Sequence, residues 1–123
     1  NNGFEGTVVA ADGDEAVVET AVGRLAGRRG EGVAAGGTVT VFIRPEQLRI
    51  AAGREPVAIA TEIASTSFEG NATHLYLRGP AGKPITVTLS RRDEAGDLAP
   101  GRPLGLVYAP KDAVVLANAA TAP

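Results

Sequence analysis

The sequence predicts an all-β protein, a small antiparallel barrel built from two repeated halves. Short segments alternate apolar and polar residues with a period of two, as half-buried strands do. The 16 glycines and 8 prolines stand between those segments, where turns need them. No apolar pattern with the helical spacing i, i+3, i+4, i+7 runs for three turns. We therefore expect about nine short strands and no helix longer than two turns.

The composition fits one ordinary globular domain. The chain has 123 residues, 44% of them hydrophobic and 21% charged, so residues 1–123 are expected to form a single domain. The absence of cysteine excludes disulfides, thiol nucleophiles and cysteine-ligated metals, and His74 is the one histidine. The longest uncharged stretch, Gly32 to Ile43, is too short to span a bilayer, so no direct membrane insertion is expected.

The first half of the chain opens with a hairpin. Thr7–Ala11 and Glu15–Val22 flank Asp12-Gly13, the dipeptide that a type I′ turn favours because both central residues need positive φ. The glycine-rich segment Arg24–Gly37 is expected to be an exposed loop, with a short strand near Arg24–Ala26.

Alternation places the remaining strands and their inward side chains. His74, Tyr76 and Arg78 are expected to face outward, opposite two buried leucines of the same strand. The charged segment Arg91–Gly101 is expected to be an exposed loop. The predicted core positions are Val39, Val41, Ile43, Ile59, Ile63, Leu75, Leu77, Val87, Leu106 and Leu116.

The same order of elements occurs twice. The segment around Pro45 matches the segment around Pro110 at a constant spacing of 65 residues, and a hairpin pattern precedes each copy. Two pseudo-repeats, of about residues 1–51 and 56–117, are therefore predicted. Chains built in this way usually close into small barrels, which removes exposed strand edges. The triplet Phe4–Gly6 recurs as Phe68–Gly70 at a different point in its strand, and this match is interpreted as chance.

Four motifs carry a resemblance to a known family. They are Phe4–Val9 (FEGTVV), Gly37–Leu48 (GTVTVFIRPEQL), Ser67–Thr73 (SFEGNAT), and Leu98–Gly101 (LAPG) leading to Ala109–Leu116 (APKDAVVL). Together they resemble the TOBE domain, an OB-like β-barrel module at the C-terminus of ATP-binding subunits in ABC importers. The resemblance covers essentially the whole chain, and its order and spacing fit the polyamine and ferric iron importers better than the sugar importers.

The resemblance implies that this chain is a fragment of a longer ATPase subunit, with a regulatory or dimerisation role. ATP and Mg would be bound by the parent chain, which would lie in the cytoplasm, peripheral to the inner face of the cell membrane. The implied partners are the chain's own ATPase domain, a second copy of the subunit and, through the parent chain, the permease subunits. The imported solute would be a polyamine, iron or a similar small solute.

The residues themselves do not carry the chemistry of an enzyme. The segment Gly79–Pro84 (GPAGKP) is the nearest imitation of a phosphate-binding P-loop, but only two residues separate its glycines. Pro84 also stands where the magnesium-binding hydroxyl should be, so a hairpin turn is expected. With one histidine and no cysteine, only a carboxylate-pair mechanism remains, and no paired Asp/Glu motif stands out. No catalytic residue, cofactor or metal is therefore expected in this chain.

Two groups of residues are candidate contact sites. Arg44 and Glu46 flank Pro45 and could contact the ATPase domain or a ligand; alternatively Pro45 ends a strand and Arg44 pairs with a nearby carboxylate to shape the corner. The segment Phe68-Glu69-Gly70, with the outward face of His74 and Tyr76, is expected to form a C2 self-contact. His74 and its neighbours could instead be an anion site or a solvated face of the barrel.

Two further interpretations concern ligands. Asp12, Asp14 and Glu15 could gather a cation, but the spacing lacks the further carboxylate of a calcium loop, and a solvated turn is favoured. A free-standing OB-like module that binds small ligands or oligonucleotides is the alternative function. The net charge of −2 and the five aromatic residues argue against nucleic acid, which is not an expected partner.

Overall fold

The computed structural model describes residues 1–90 and 98–118, and these residues form ten strands. Three turns contain a 3₁₀ helix of three residues, and no helix in the described ranges is long and apolar enough to cross a membrane. The predicted all-β fold is confirmed. The described residues form ten strands where about nine were predicted, and one of the ten has only two residues. The strands are β1 (Asn2–Asp12), β2 (Glu15–Thr20), β3 (Gly23–Arg29), β4 (Thr38–Ile43), β5 (Arg49–Ile50), β6 (Ile59–Glu69), β7 (Ala72–Arg78), β8 (Pro84–Ser90), β9 (Pro103–Val107) and β10 (Ala113–Ala117).

The chain divides into two compact units. The sheet unit comprises Asn1–Asn2 and Arg44–Tyr108, and the barrel unit comprises Gly3–Ile43 and Ala109–Pro123. The 3₁₀ helices Pro45–Gln47 and Pro80–Gly82 belong to the sheet unit, and Pro110–Asp112 belongs to the barrel unit. The chain thus changes unit after Asn2, after Ile43 and after Tyr108, and the last two positions are equivalent in the predicted repeats.

The barrel unit is a closed barrel in the order β1-β2-β3-β10-β4. β1 pairs antiparallel with β2, β2 with β3 and β10 with β4, whereas β3 and β10 run parallel. Alternation fills the interior because every second residue of a strand faces inward. The fully buried side chains include Val18, Leu25, Val41, Ile43 and Val115.

The sheet unit contains five strands in the order β5-β9-β6-β7-β8, paired antiparallel throughout. β6 is long enough to pair with β9 through its first half and with β7 through its second, and its register shifts between Ile63 and Ser65. Such a bulge bends a strand, so β6 can serve two neighbours. Its core includes Leu48, Ile59, Leu75 and Leu106.

The repeats exchange strands. β5, from the first repeat, pairs with β9 of the second, while β10, from the second repeat, pairs with β4 of the first. Each compact unit therefore contains strands from both repeats, and the units do not coincide with residues 1–51 and 56–117. That residues 1–123 act as one domain stays a prediction.

One strand was predicted mostly as a loop because its sequence is rich in glycine and arginine. The segment expected to be a loop with a short strand near Arg24–Ala26 forms the seven-residue strand β3. It pairs with β2 over six residues and buries Leu25 and Gly27. Glycine and arginine weakened the sequence signal, but tertiary packing decided the outcome.

The hairpin turn between β1 and β2 lies one residue further along than predicted. Asp12 pairs with Glu15, so the two loop residues are Gly13 and Asp14 rather than Asp12 and Gly13. Gly13 has a φ of +56°, the conformation that glycine adopts without strain.

The prediction that Leu116 lies in the core is wrong. Leu116 is 44% exposed, whereas Ala113 and Val115 are fully buried in the same strand. The run Val114-Val115-Leu116 is apolar throughout, so the sequence could not reveal which residues face inward; pairing with β4 does. The other predicted core positions are buried. Most of the predicted loop Arg91–Gly101 lies outside the described residues.

Candidate functional site

The outward face of β7 carries the candidate residues His74 and Tyr76, together with Arg78. Leu75 and Leu77 are buried, while His74, Tyr76 and Arg78 point to the opposite side, as alternation predicted. β7 pairs with β6 on one side and β8 on the other, so this face is a regular surface of three strands.

His74 links the three strands through both ring nitrogens. Its Nδ1 lies 3.1 Å from Oγ1 of Thr88 on β8, and its Nε2 lies 3.5 Å from Oε2 of Glu69 on β6. The imidazole is 22% exposed. With both nitrogens engaged, His74 is a polar crosslink rather than an open metal ligand. Within the described residues no group of three His, Cys, Asp or Glu side chains is arranged to hold a metal ion.

The neighbours of His74 are also engaged. The hydroxyl of Tyr76 lies 3.4 Å from that of Ser67, and the Nε of Arg78 donates to Oε2 of Glu62 at 3.0 Å. The face is therefore polar, with its charges paired and Tyr76 partly exposed. Such a surface suits a hydrogen-bonding contact better than the capture of an anion.

Phe68 does not lie on this face. Phe68 pairs with Thr73, whereas Ser67 pairs with His74, and successive residues of a strand face opposite sides. Phe68 therefore points to the side of Leu75, at the end of the hairpin, where it is 74% exposed. Gly70 follows in the turn with a φ of +57°. The single self-contact surface expected from Phe68, His74 and Tyr76 is thus divided between two faces.

Arg44 and Glu46 are exposed at the 3₁₀ turn that follows β4. The N–H of Gln47 donates to the carbonyl of Arg44, which shapes the turn through the backbone. Arg44 forms no ion pair with a described residue, so the predicted pairing with a nearby carboxylate is not observed there. Both side chains are available for a partner.

A shallow cleft of about 240 Å³ lies in the barrel unit beside the β1–β2 hairpin. Charged side chains of both signs line it, and within the described chain none of them forms an ion pair. The lining residues are Asp12, Asp14, Glu15, Gly27, Arg28, Pro110 and Lys111. A cleft of this kind could admit a small polar ligand.

Sequence reasoning missed Asn2. This residue is only 5% exposed, and its side-chain amide forms two hydrogen bonds of 2.8 Å with the backbone of Thr86 on β8. Asparagine near the start of a chain carries no pattern that predicts burial. Asn2 and Thr86 are 84 positions apart in the sequence, so their contact is visible only in the three-dimensional structure.

A second missed contact is the ion pair of Arg49 and Glu55. Nη1 and Nη2 of Arg49 donate to Oε1 and Oε2 of Glu55 at 2.9 and 2.6 Å. The N–H of Ala52 donates to the same carboxylate. The hydrogen bonds from Arg49, and then the one from Ala52, lower the pKa of Glu55 to about 2. This contact closes the loop between the two repeats.

Comparison with known proteins supplies a family. The family model described as "TOBE domain" matches residues 41–116. The spermidine/putrescine import ATP-binding protein PotA of Rubrobacter xylanophilus is 33% identical over 118 residues, covering 94% of this chain. The match covers 31% of that relative, so the chain spans about a third of the length of the relative.

A solved structure agrees with the fold. The cytoplasmic molybdate-binding protein ModG, with molybdate bound, superposes with a TM-score of 0.78 at 19% sequence identity. The superposition covers 95% of this chain and 96% of ModG. At this level of identity the likeness establishes the OB-like architecture alone.

Proposed function

Since this chain belongs to the TOBE domain family, we propose that it is the C-terminal regulatory domain of the ATP-binding subunit of an ABC importer. The observation that carries the proposal is the match with PotA along 94% of this chain. The parent subunit would hydrolyse ATP with Mg in its own ATPase domain, in the cytoplasm at the inner face of the membrane.

The domain would act by binding partners rather than by catalysis. Its partners would be its own ATPase domain, a second copy of the subunit and, through the parent chain, the permease subunits. The exposed Arg44 and Glu46, together with Phe68, offer surfaces for these contacts. By favouring one arrangement of the two ATPase chains, the domain would change the rate of hydrolysis, which is a coupling between two sites. Spermidine and putrescine, named for PotA, are the first candidates for the imported solute.

Removal of the domain tests the regulatory role. We expect the full-length subunit, assembled with its permease, to import solute in proportion to the ATP that it hydrolyses. A subunit lacking residues 1–123 should keep its nucleotide site and still hydrolyse ATP. Its ratio of solute imported to ATP hydrolysed should differ from that of the full-length subunit. An identical ratio of import to hydrolysis with and without residues 1–123 would contradict the proposal.

The chain alone should not bind nucleotide. Gly79–Lys83 form the turn between β7 and β8, with a 3₁₀ helix at Pro80–Gly82, and the glycine spacing of Gly79–Pro84 differs from that of a phosphate-binding loop. Calorimetric titration of residues 1–123 with Mg-ATP should show no saturable heat. Micromolar binding would overturn this assignment.

A second candidate function is the sensing of a small ligand. The observation in its favour is the cleft beside Arg28 and Lys111, in a fold that ModG uses to bind molybdate. Titration with molybdate, and separately with spermidine, tests it, with Arg28→Ala and Asp14→Ala as paired variants. An anion should lose affinity in the first variant and a cation in the second.

A further inference from the structure

Asn2 replaces a neighbouring strand at one position of β8. Its Nδ2 donates to the carbonyl of Thr86, and the N–H of Thr86 donates to its Oδ1, both at 2.8 Å. An amide side chain that bonds both backbone groups of one residue reproduces the pairing of an antiparallel neighbour. Asn2 is the one buried polar residue in the described ranges.

This contact places the beginning of the chain in the sheet unit. Asn1 and Asn2 belong to that unit together with Thr86, whereas Gly3 onward belongs to the barrel unit. The two hydrogen bonds satisfy four polar groups at once, two on the amide of Asn2 and two on the backbone of Thr86. Because Asn2 is 5% exposed, its amide has little access to water in this position, and the two hydrogen bonds hold it there.

We propose that Asn2 is a latch that fixes the start of this domain to β8, so that movement of the preceding segment reaches the sheet unit. The proposal rests on the proposed function, in which that segment leads from the ATPase domain. Asn2 is thus a positioning residue, because it acts through the backbone of Thr86. Opening the latch would weaken the coupling between ATP hydrolysis and import without removing the domain.

Three variants of the full-length subunit isolate the latch. Asn2→Ala removes both hydrogen bonds and should lower the ratio of solute imported to ATP hydrolysed by about threefold or more, the size expected of a coupling residue. Asn2→Ser keeps an uncharged hydroxyl that can bond at most one of the two backbone groups, so an intermediate ratio is expected. Thr86→Ala is the matched control, since it leaves both backbone groups in place and should keep the wild-type ratio.

Amide hydrogen exchange supplies a readout that does not depend on transport. In the 123-residue chain the amide of Thr86 should exchange slowly in the wild type and in Thr86→Ala. It should exchange about tenfold faster in Asn2→Ala, because one lost hydrogen bond is worth roughly that factor.

The outcomes separate the latch from the proposed function. An unchanged import ratio in Asn2→Ala, with a freely exchanging Thr86 amide, overturns the latch even if removal of residues 1–123 still alters the ratio. Rapid exchange of Thr86 in the wild type also overturns it. If Asn2→Ala does not fold, Asn2→Ser decides by the same two measurements. If removal of the whole domain changes nothing, the proposed function itself falls.

Discussion

Ile43 shows what one fully buried side chain contributes. Its exposed fraction is 0%, and it ends β4, where it pairs with Ala113 of β10. Ile43→Ala should lower the free energy of unfolding by about 2–5 kcal/mol, because the substitution removes apolar contacts and leaves a cavity. Denaturant unfolding monitored by circular dichroism measures this loss.

Leu116 provides the matched comparison for Ile43. It lies in the strand that pairs with β4 but is 44% exposed, so Leu116→Ala should cost less than about 1 kcal/mol. Equal losses for the two variants would contradict the assignment of the inward face of β10 to Ala113 and Val115.

Glu55 should titrate at unusually low pH. The guanidinium of Arg49 holds its pKa at about 2, against 4.5 for the group without these partners. A lowered pKa in the folded chain stabilises the protein above pH 4.5, and this contribution is lost as the pH falls through about 2. Carboxyl chemical shifts followed by NMR should place the midpoint near 2.

The matched variant for this measurement is Arg49→Gln. It removes the positive charge while keeping a polar side chain, so the midpoint of Glu55 should rise toward its ordinary value. A midpoint near 4 in the wild type would show that the ion pair does not persist in solution.

At the scale of the element, the β6–β7 hairpin presents two different surfaces. Phe68 is exposed on one side, and His74 and Tyr76 lie on the other. A C2 self-contact uses one self-complementary patch, so it should involve only one of these sides. We expect Phe68→Ala to weaken self-association measured by sedimentation, because an exposed aromatic residue contributes most to a small interface.

Tyr76→Ala is the control on the opposite side of the hairpin, and it should leave the association unchanged. Association that responds to Tyr76→Ala alone would place the contact on the His74 side. A chain that stays monomeric at high concentration would remove the hairpin from consideration.

The inward-facing residues of a strand were predicted correctly where apolar and polar residues alternate regularly along it. β7 and β8 alternate apolar inward residues with polar or Tyr outward ones, and β4 does so except at Phe42; their predicted inward residues are buried. β10 has no polar residue in its centre to mark a face, which led to the error at Leu116. β3 looks like a loop because its apolar signal is a single leucine, and only pairing with two neighbours makes it a strand.

For the whole molecule, the sequence predicted the repeat but not the pairing of its parts. Equivalent spacing of Pro45 and Pro110 identifies matching elements, yet it does not state which copy each strand pairs with. The exchange of β5 and β10 is decided by long-range contacts. The outward orientation of His74 could likewise be predicted from the alternation in its strand. The contact of Asn2 with Thr86 could not, because the two residues are far apart in the sequence.

The exchange of strands makes the two repeats reciprocal complements, and this has a consequence for fragments of the chain. Without β10, fragment 1–54 lacks the strand that joins β3 to β4, so it should not complete the barrel by itself. Produced separately and mixed after unfolding, fragments 1–54 and 55–123 should reconstitute one species with native circular dichroism and the elution volume of the uncut chain. Fragment 1–54 that folds alone as a monomer would show that its own residues can replace β10.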